Sequence, residues 1–132
     1  MRVSTFAELL EEARRVGPKT VAVAAAHEKE VLQAAHAAEQ AGVADCILVG
    51  AAAQIEELAR CAGADLSRME VIDEPDVKRA AARVMSLVRE GRARVAMKGR
   101  IETGDFLRAA LDRENGLRTG RLLSHVGVFE IP

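Results

Sequence analysis

The sequence has no tryptophan and no tyrosine, and three phenylalanines hold its aromatic share to 2% of 132 residues. Proteins that grip single-stranded nucleic acid or RNA stack bases on aromatic rings, so that mode is excluded. Charge of one sign is lacking too: 19 Lys and Arg stand against 20 Asp and Glu, a formal net charge of −1. Without a basic footprint, no nucleic-acid partner is expected. The two cysteines, Cys46 and Cys61, form no Cys-x-x-Cys pair and have no histidine at ligand spacing, so neither a disulfide framework nor a metal site can be read. Both are expected to be small buried hydrophobes in a reducing compartment. No secretory-leader pattern opens the sequence, and no window approaches the roughly 18 apolar residues of a membrane span. The expectation is a cytoplasmic protein with no membrane partner.

What is present is 49% hydrophobic and 30% charged residues, much of the former alanine, as in Ala24-Ala25-Ala26 and Ala80-Ala81-Ala82. One domain of this length buries enough surface to fold without staples. Thr5 and Glu8 form a capping-box pattern, followed by a helix to Val16 with Phe6, Leu9, Leu10 and Ala13 on one inward face; Gly17-Pro18 stops it. The small apolar run 20–26 reads as a strand covered on both faces. A helix over 28–41, a strand over 45–49 and a helix over 51–61 follow, each closed by glycine. A strand at 70–72, a helix from Pro75-Asp76 to Arg89, a strand over 94–97, a helix over 103–113 and a last strand over 124–131 complete the pattern. Strands alternating with helices require crossover connections, which predicts a three-layer α/β/α fold around a mostly parallel sheet.

In such sheets ligands bind beyond the carboxyl ends of the strands, where helix N-termini attract anions. Four loops qualify. Ala26-His27-Glu28 carries a histidine, Gly50-Ala51 only a tight turn, and Ile72-Asp73-Glu74-Pro75 is acidic and would repel phosphate. The loop 97–104 is the richest: Lys98 at a strand end, Gly99 permitting close backbone approach, and Thr103 as the expected N-cap. Arg108 stands one and a half turns on and could aim its planar fork at the same space, although spacing alone equally makes it an exposed partner of Asp105. Neither common nucleotide-binding glycine fingerprint is present. His36 reads as a surface residue, and His27 as a cap on a backbone carbonyl or a ligand contact. Ser124-His125 looks like a nucleophile beside a base, but neighbours in a strand point to opposite faces.

Two stretches carry a family resemblance. Val95-Ala96-Met97-Lys98-Gly99 with Thr103 and Phe106-Leu107-Arg108-Ala109-Ala110-Leu111, and then Gly116-Leu117-Arg118-Thr119-Gly120-Arg121-Leu122-Leu123-Ser124-His125-Val126, resemble the phosphate acetyl/butyryltransferase family, on its butyryl side. The opening strand, helix and strand, with Ala26-His27-Glu28-Lys29-Glu30 and Ile47-Leu48-Val49-Gly50, are consistent with it. The resemblance implies a subunit of the isocitrate and isopropylmalate dehydrogenase type, an α/β/α fold in two parts, as a homodimer. It implies transfer of a butyryl or acetyl group between coenzyme A and inorganic phosphate, so acyl-CoA, phosphate and acyl phosphate are the partners. Coenzyme A is then a substrate, and no tightly held cofactor or metal is called for. Carried over by position, Lys98, Gly99 and Thr103 line the cleft, Arg108 holds phosphate oxygens, and Ser124 with His125 faces the site from the next strand; the catalytic groups themselves are left unassigned. Family members are about twice as long and keep a serine-arginine pair and an aspartate in their second half. The 132 residues are therefore expected to be the N-terminal part, deficient in catalysis alone; the alternative is a non-catalytic acyl-CoA or phosphate-binding regulatory domain, and a third possibility is a structural fragment dimerising through an open sheet edge.

Overall fold

A computed structural model describes residues 2–131. The element order is α1 (Phe6–Val16), β1 (Lys19–Ala24), α2 (Lys29–Gln40), β2 (Ala44–Gly50), α3 (Ala52–Ala62), β3 (Glu70–Asp73), α4 (Val77–Arg89), β4 (Val95–Lys98) and α5 (Thr103–Ala110). The four strands form one sheet in the order β3-β2-β1-β4, every pair parallel. Lys19 to Ala24 pair with Ala44 to Val49 on one side of β1, and Val21 to Ala24 with Val95 to Lys98 on the other. Because β2 and β3 add on one side of β1 and β4 on the other, the chain reverses direction across the sheet between β1 and β4.

Side chains alternate faces along each strand, and both faces are covered. Ala22, Ala24, Ile47 and Val49 pack with Ala80, Ala81, Val84 and Leu87 of α4, joined by Phe106 and Ala109 of α5. On the other face Val23, Cys46 and Leu48 pack with Val31, Leu32 and Ala35 of α2 and Ile55 and Ala59 of α3. This is the three-layer arrangement that the alternation predicts. In the central strand β1 the two faces differ: Ala22 and Ala24 meet α4, and Val21 and Val23 meet the α2–α3 side.

Three expectations need correction. No strand forms over 124–131; the residues there are exposed and irregular, with Leu122 at 97% and Phe129 at 84% accessibility. An apolar run becomes a strand only when a sheet edge and a covering layer receive it, and here it has neither. The inward face assigned to α1 is not buried, for α1 contains no buried residue and Phe6, Leu9 and Leu10 stay half-exposed. The helix is tied at its ends instead: the Arg14 Nε–H donates to the Ala41 carbonyl at 2.9 Å, and the Phe6 N–H to Glu130 Oε1 at 2.9 Å. Finally, Cys46 is buried but Cys61 is exposed, on the outer side of α3. Burial pushes the Cys46 thiol up to about 11, with Glu39 and Asp45 adding to the shift.

Candidate functional site

β1 and β4 end side by side, and the loops leaving them diverge around a cleft of about 490 Å³. The loop after β1 contributes Glu28; the loop after β4 and the start of α5 contribute Lys98, Gly99, Arg100, Ile101, Glu102, Thr103 and Asp105. A crevice at the carboxyl ends of parallel strands, where strand order reverses, is the position that open α/β sheets reserve for ligands.

The floor of the cleft is fixed by backbone. The Gly99 N–H donates to the Ala24 carbonyl at 2.8 Å and the Arg100 N–H to the Ala25 carbonyl at 2.7 Å. A Cβ on residue 99 would lie 2.4 Å from the Ala25 oxygen and 2.6 Å from that of Ala24, so only glycine fits. Lys98 turns back over this loop, its Nζ donating to the Ile101 carbonyl at 2.9 Å and more weakly to Gly99 at 3.4 Å. The ammonium therefore stands at the cleft wall with donor capacity to spare.

Thr103 is not the N-cap. That position belongs to Glu102, in extended conformation and without a side-chain cap bond, and Thr103 is the first residue of α5. First-turn N–H groups of a helix have no intrahelical acceptor, so those of α5 open on the cleft together with the partial positive charge of the helix terminus. Three carboxylates, Glu28, Glu102 and Asp105, line the cleft against two cations, Lys98 and Arg100. The lining therefore carries no net positive charge, and its anion-favouring groups are Lys98, Arg100 and the helix start.

Of the six residues singled out from sequence, Lys98, Gly99 and Thr103 meet here. Arg108 does not line this cleft. It is 73% exposed and pairs with Asp105, Nη1 to Oδ1 at 2.5 Å, the i,i+3 pair that spacing alone allows. Arg108 borders an adjoining hollow of about 270 Å³ with Lys78, Asp105 and Asp112, and Asp105 lines both this hollow and the cleft. Ser124 and His125 are exposed, in the irregular segment after α5, and line neither cavity.

Arg100 and Glu28 were legible as polar loop residues but carried no spacing that marked them, and Asp105 was marked only as the i,i+3 partner of Arg108. Arg100 also reaches a second hollow, of about 420 Å³, shared with His27, Ala53, Gln54, Glu57 and Leu58. His27 caps no carbonyl through Nδ1, which is buried without a partner among the described residues; burial and then Arg100 lower its pKa, against an opposing effect of Glu28. His36 is partly exposed on α2, with its Nδ1 turned inward and likewise without a partner among the described residues. The acidic loop after β3 has a structural use: Asp73 Oδ1 accepts the Ala52 N–H at 3.0 Å and occupies the start of α3, leaving that helix closed to anions. No group of His, Cys, Asp and Glu among the described residues is arranged to hold a metal ion, and no described helix is long and apolar enough to cross a membrane.

Comparison with known proteins gives a consistent result. Residues 4–85 match the family described as phosphate acetyl/butaryl transferase. The chain is 42% identical over 128 residues to a phosphate butyryltransferase of Clostridium acetobutylicum, covering 97% of this chain and 42% of that protein. It is 35% identical over 129 residues to a phosphate acetyltransferase of Rhizobium meliloti, covering 98% of this chain and 41% of that protein. Among solved structures, a phosphotransacetylase from Streptococcus pyogenes superposes with a TM-score of 0.67 at 17% identity, over 81% of this chain and 42% of its own. The EutD phosphotransacetylase of Staphylococcus aureus gives 0.65 at 19% identity, over 80% of this chain and 41% of its own. The chain thus spans about 42% of the length of the curated butyryltransferase it matches.

Proposed function

Since the chain belongs to the phosphate acetyl/butyryl transferase family, we propose that its β1/β4 cleft is the phosphate-side wall of a site where an acyl group passes between coenzyme A and inorganic phosphate. The observation that supports this reading is the Lys98-Gly99 loop feeding the open N-terminus of α5 at the point where the sheet reverses order. Phosphate attacking a thioester carries its charge into the transition state, and donors fixed before the reaction hold it there without reorganising. In this proposal the N–H groups of Thr103 and Gly104 and the Thr103 hydroxyl receive phosphate oxygens, and Lys98 neutralises them. Gly99 lets the anion approach the backbone. Arg108 joins by exchanging Asp105 for a phosphate oxygen, a one-for-one trade of carboxylate for anion on a guanidinium that is already at the surface. Ser124 and His125 contribute only if the segment that carries them folds back over the cleft. Coenzyme A is a substrate here, and the oligomer proposed is a homodimer.

In this reading the described residues supply one wall of the acyl-transfer site, for the chain covers 42% of the relative's length. That favours binding without efficient turnover by these 132 residues, and keeps a second reading alongside, a domain that binds acyl-CoA or phosphate as a regulatory signal. Titration of the chain with inorganic phosphate, followed by amide chemical shifts, is expected to move Lys98, Thr103 and Gly104 together. Thiol release from butyryl-CoA plus phosphate is expected to stay at background. Shifts elsewhere, or none, would reject the phosphate site; steady turnover by the chain alone would reject the one-wall reading.

A further inference from the structure

Among the described residues Ala25 is the single non-glycine with positive φ, at 59°, and it is fully buried where β1 meets the cleft. Successive carbonyls of an extended strand alternate between its two neighbours. In β1 the Thr20 carbonyl receives the Arg94 N–H and the Ala24 carbonyl the Gly99 N–H, both on the β4 side, while the Lys19 N–H donates to Val43 on the β2 side. Continuing that alternation, the Ala25 carbonyl should face β2 and the Ala26 N–H should face β4. The opposite is found: the Ala25 carbonyl receives the Arg100 N–H, and the Ala26 N–H donates to the Val49 carbonyl at 3.1 Å. The peptide unit between Ala25 and Ala26 is therefore turned over, and the left-handed conformation of Ala25 is what turns it.

From this we infer that Ala25 is a positioning residue for the Lys98–Thr103 loop. Turning over one peptide presents two consecutive carbonyls to the same neighbour, so Gly99 and Arg100 are both held and the loop is bent into the cleft instead of running on as strand. The turned carbonyl also lies 2.4 Å from where a residue-99 Cβ would be, and with the Ala24 oxygen at 2.6 Å it closes that position to any residue but glycine. Sterically unfavourable backbone that is over-determined by surrounding hydrogen bonds is typical of sites where geometry matters more than local ease.

The loop-holding role stands on backbone geometry alone; its importance for ligand rests on the phosphate-site reading, and two readouts keep them apart. In Ala25→Val, whose β-branched side chain resists positive φ, amide exchange at Gly99 and Arg100 is expected to accelerate about tenfold or more relative to Val23 and Leu48. Ala25→Gly, free to adopt the conformation, should keep exchange at both positions within about twofold of the parent or slower. Phosphate affinity, read from loop amide shifts, should fall about tenfold in the first variant and be retained in the second. Unchanged exchange at Gly99 and Arg100 in a folded Ala25→Val overturns the inference. If that variant does not fold, the parent and Ala25→Gly decide it: exchange of both amides as fast as an exposed loop in either protein overturns it, and protection in both upholds it. Absence of phosphate binding with protection intact rejects the phosphate reading and leaves the loop-holding role standing.

Discussion

A single side chain shows how far residue type decides its own environment. Cys46 and Cys61 look alike in sequence, each between a charged residue and an apolar one, yet one is buried between sheet and helices and the other sits on α3 with its Sγ donating weakly to Glu57 at 3.8 Å. A raised, buried thiol is poorly nucleophilic. Labelling of the native protein with a thiol reagent is therefore expected to modify Cys61 at once and Cys46 only after unfolding; immediate modification of both would mean the core around Cys46 opens readily. His27 gives a pH prediction. Its folded pKa is lowered from the ordinary 6.5, chiefly by burial and then by Arg100, so on acidification the unfolded chain takes up the proton first. Its contribution to stability is present above the unfolded value and is lost as pH falls through that value toward the folded one. The urea midpoint should drop less in His27→Gln than in the parent between about pH 7.5 and pH 5.5. An equal drop would remove His27 from the account.

Elements were legible wherever the local pattern and the tertiary setting agree. Glycine stops, the cap at Asp76, whose side chain accepts the Arg79 N–H, and the period of the apolar residues mark four strands and five helices to within a few positions. The site loop was legible for the same reason: Lys98-Gly99 is a strand end meeting a helix start. What local pattern cannot carry is a partner distant in sequence. Thr103 has the chemistry of a cap but Glu102 has the place, and α3, with Ala51 at its N-cap, borrows Asp73 from the end of the neighbouring strand. Arg108 was ambiguous because an i,i+3 carboxylate and a ligand make the same demand on a guanidinium. The conformation of Ala25 left no trace in sequence, since an alanine there is indistinguishable from its neighbours. The borrowed cap is testable: Asp73→Ala should cost about 1 kcal/mol, because a helix N-terminus loses its acceptor and its favourable charge together. Chemical denaturation measures it, and a change near zero would show that solvent replaces the carboxylate without loss.

The molecule as a whole divides into a packed sheet with its covering helices and an outer surface of α1 and the segment after α5. Leu122, Val126, Phe129 and Ile131 are largely exposed, and the segment's tie to α1 is the Phe6–Glu130 hydrogen bond with a small apolar hollow beside it. Deleting residues 119–132 is expected to leave the thermal midpoint within about 2 °C of the parent, since no buried side chain of residues 119–131 is lost. A larger fall would show that the segment packs in solution. Exposed apolar surface of this kind also favours association. The truncated chain should therefore sediment as a smaller species than the parent at high concentration, if copies associate through that surface.

The order of strands across the sheet has a consequence in time. β1 is made first among the strands but receives β4 last, after the whole of α2, β2, α3, β3 and α4 has been made. Every contact across that seam joins residues far apart in the chain, and such contacts form late because a long loop must be closed before they repay it. The proposed binding cleft straddles this same seam. During synthesis the β1–β2 half can assemble while the cleft does not yet exist, and in refolding, ligand binding should appear with the slowest phase, after most helical signal has returned.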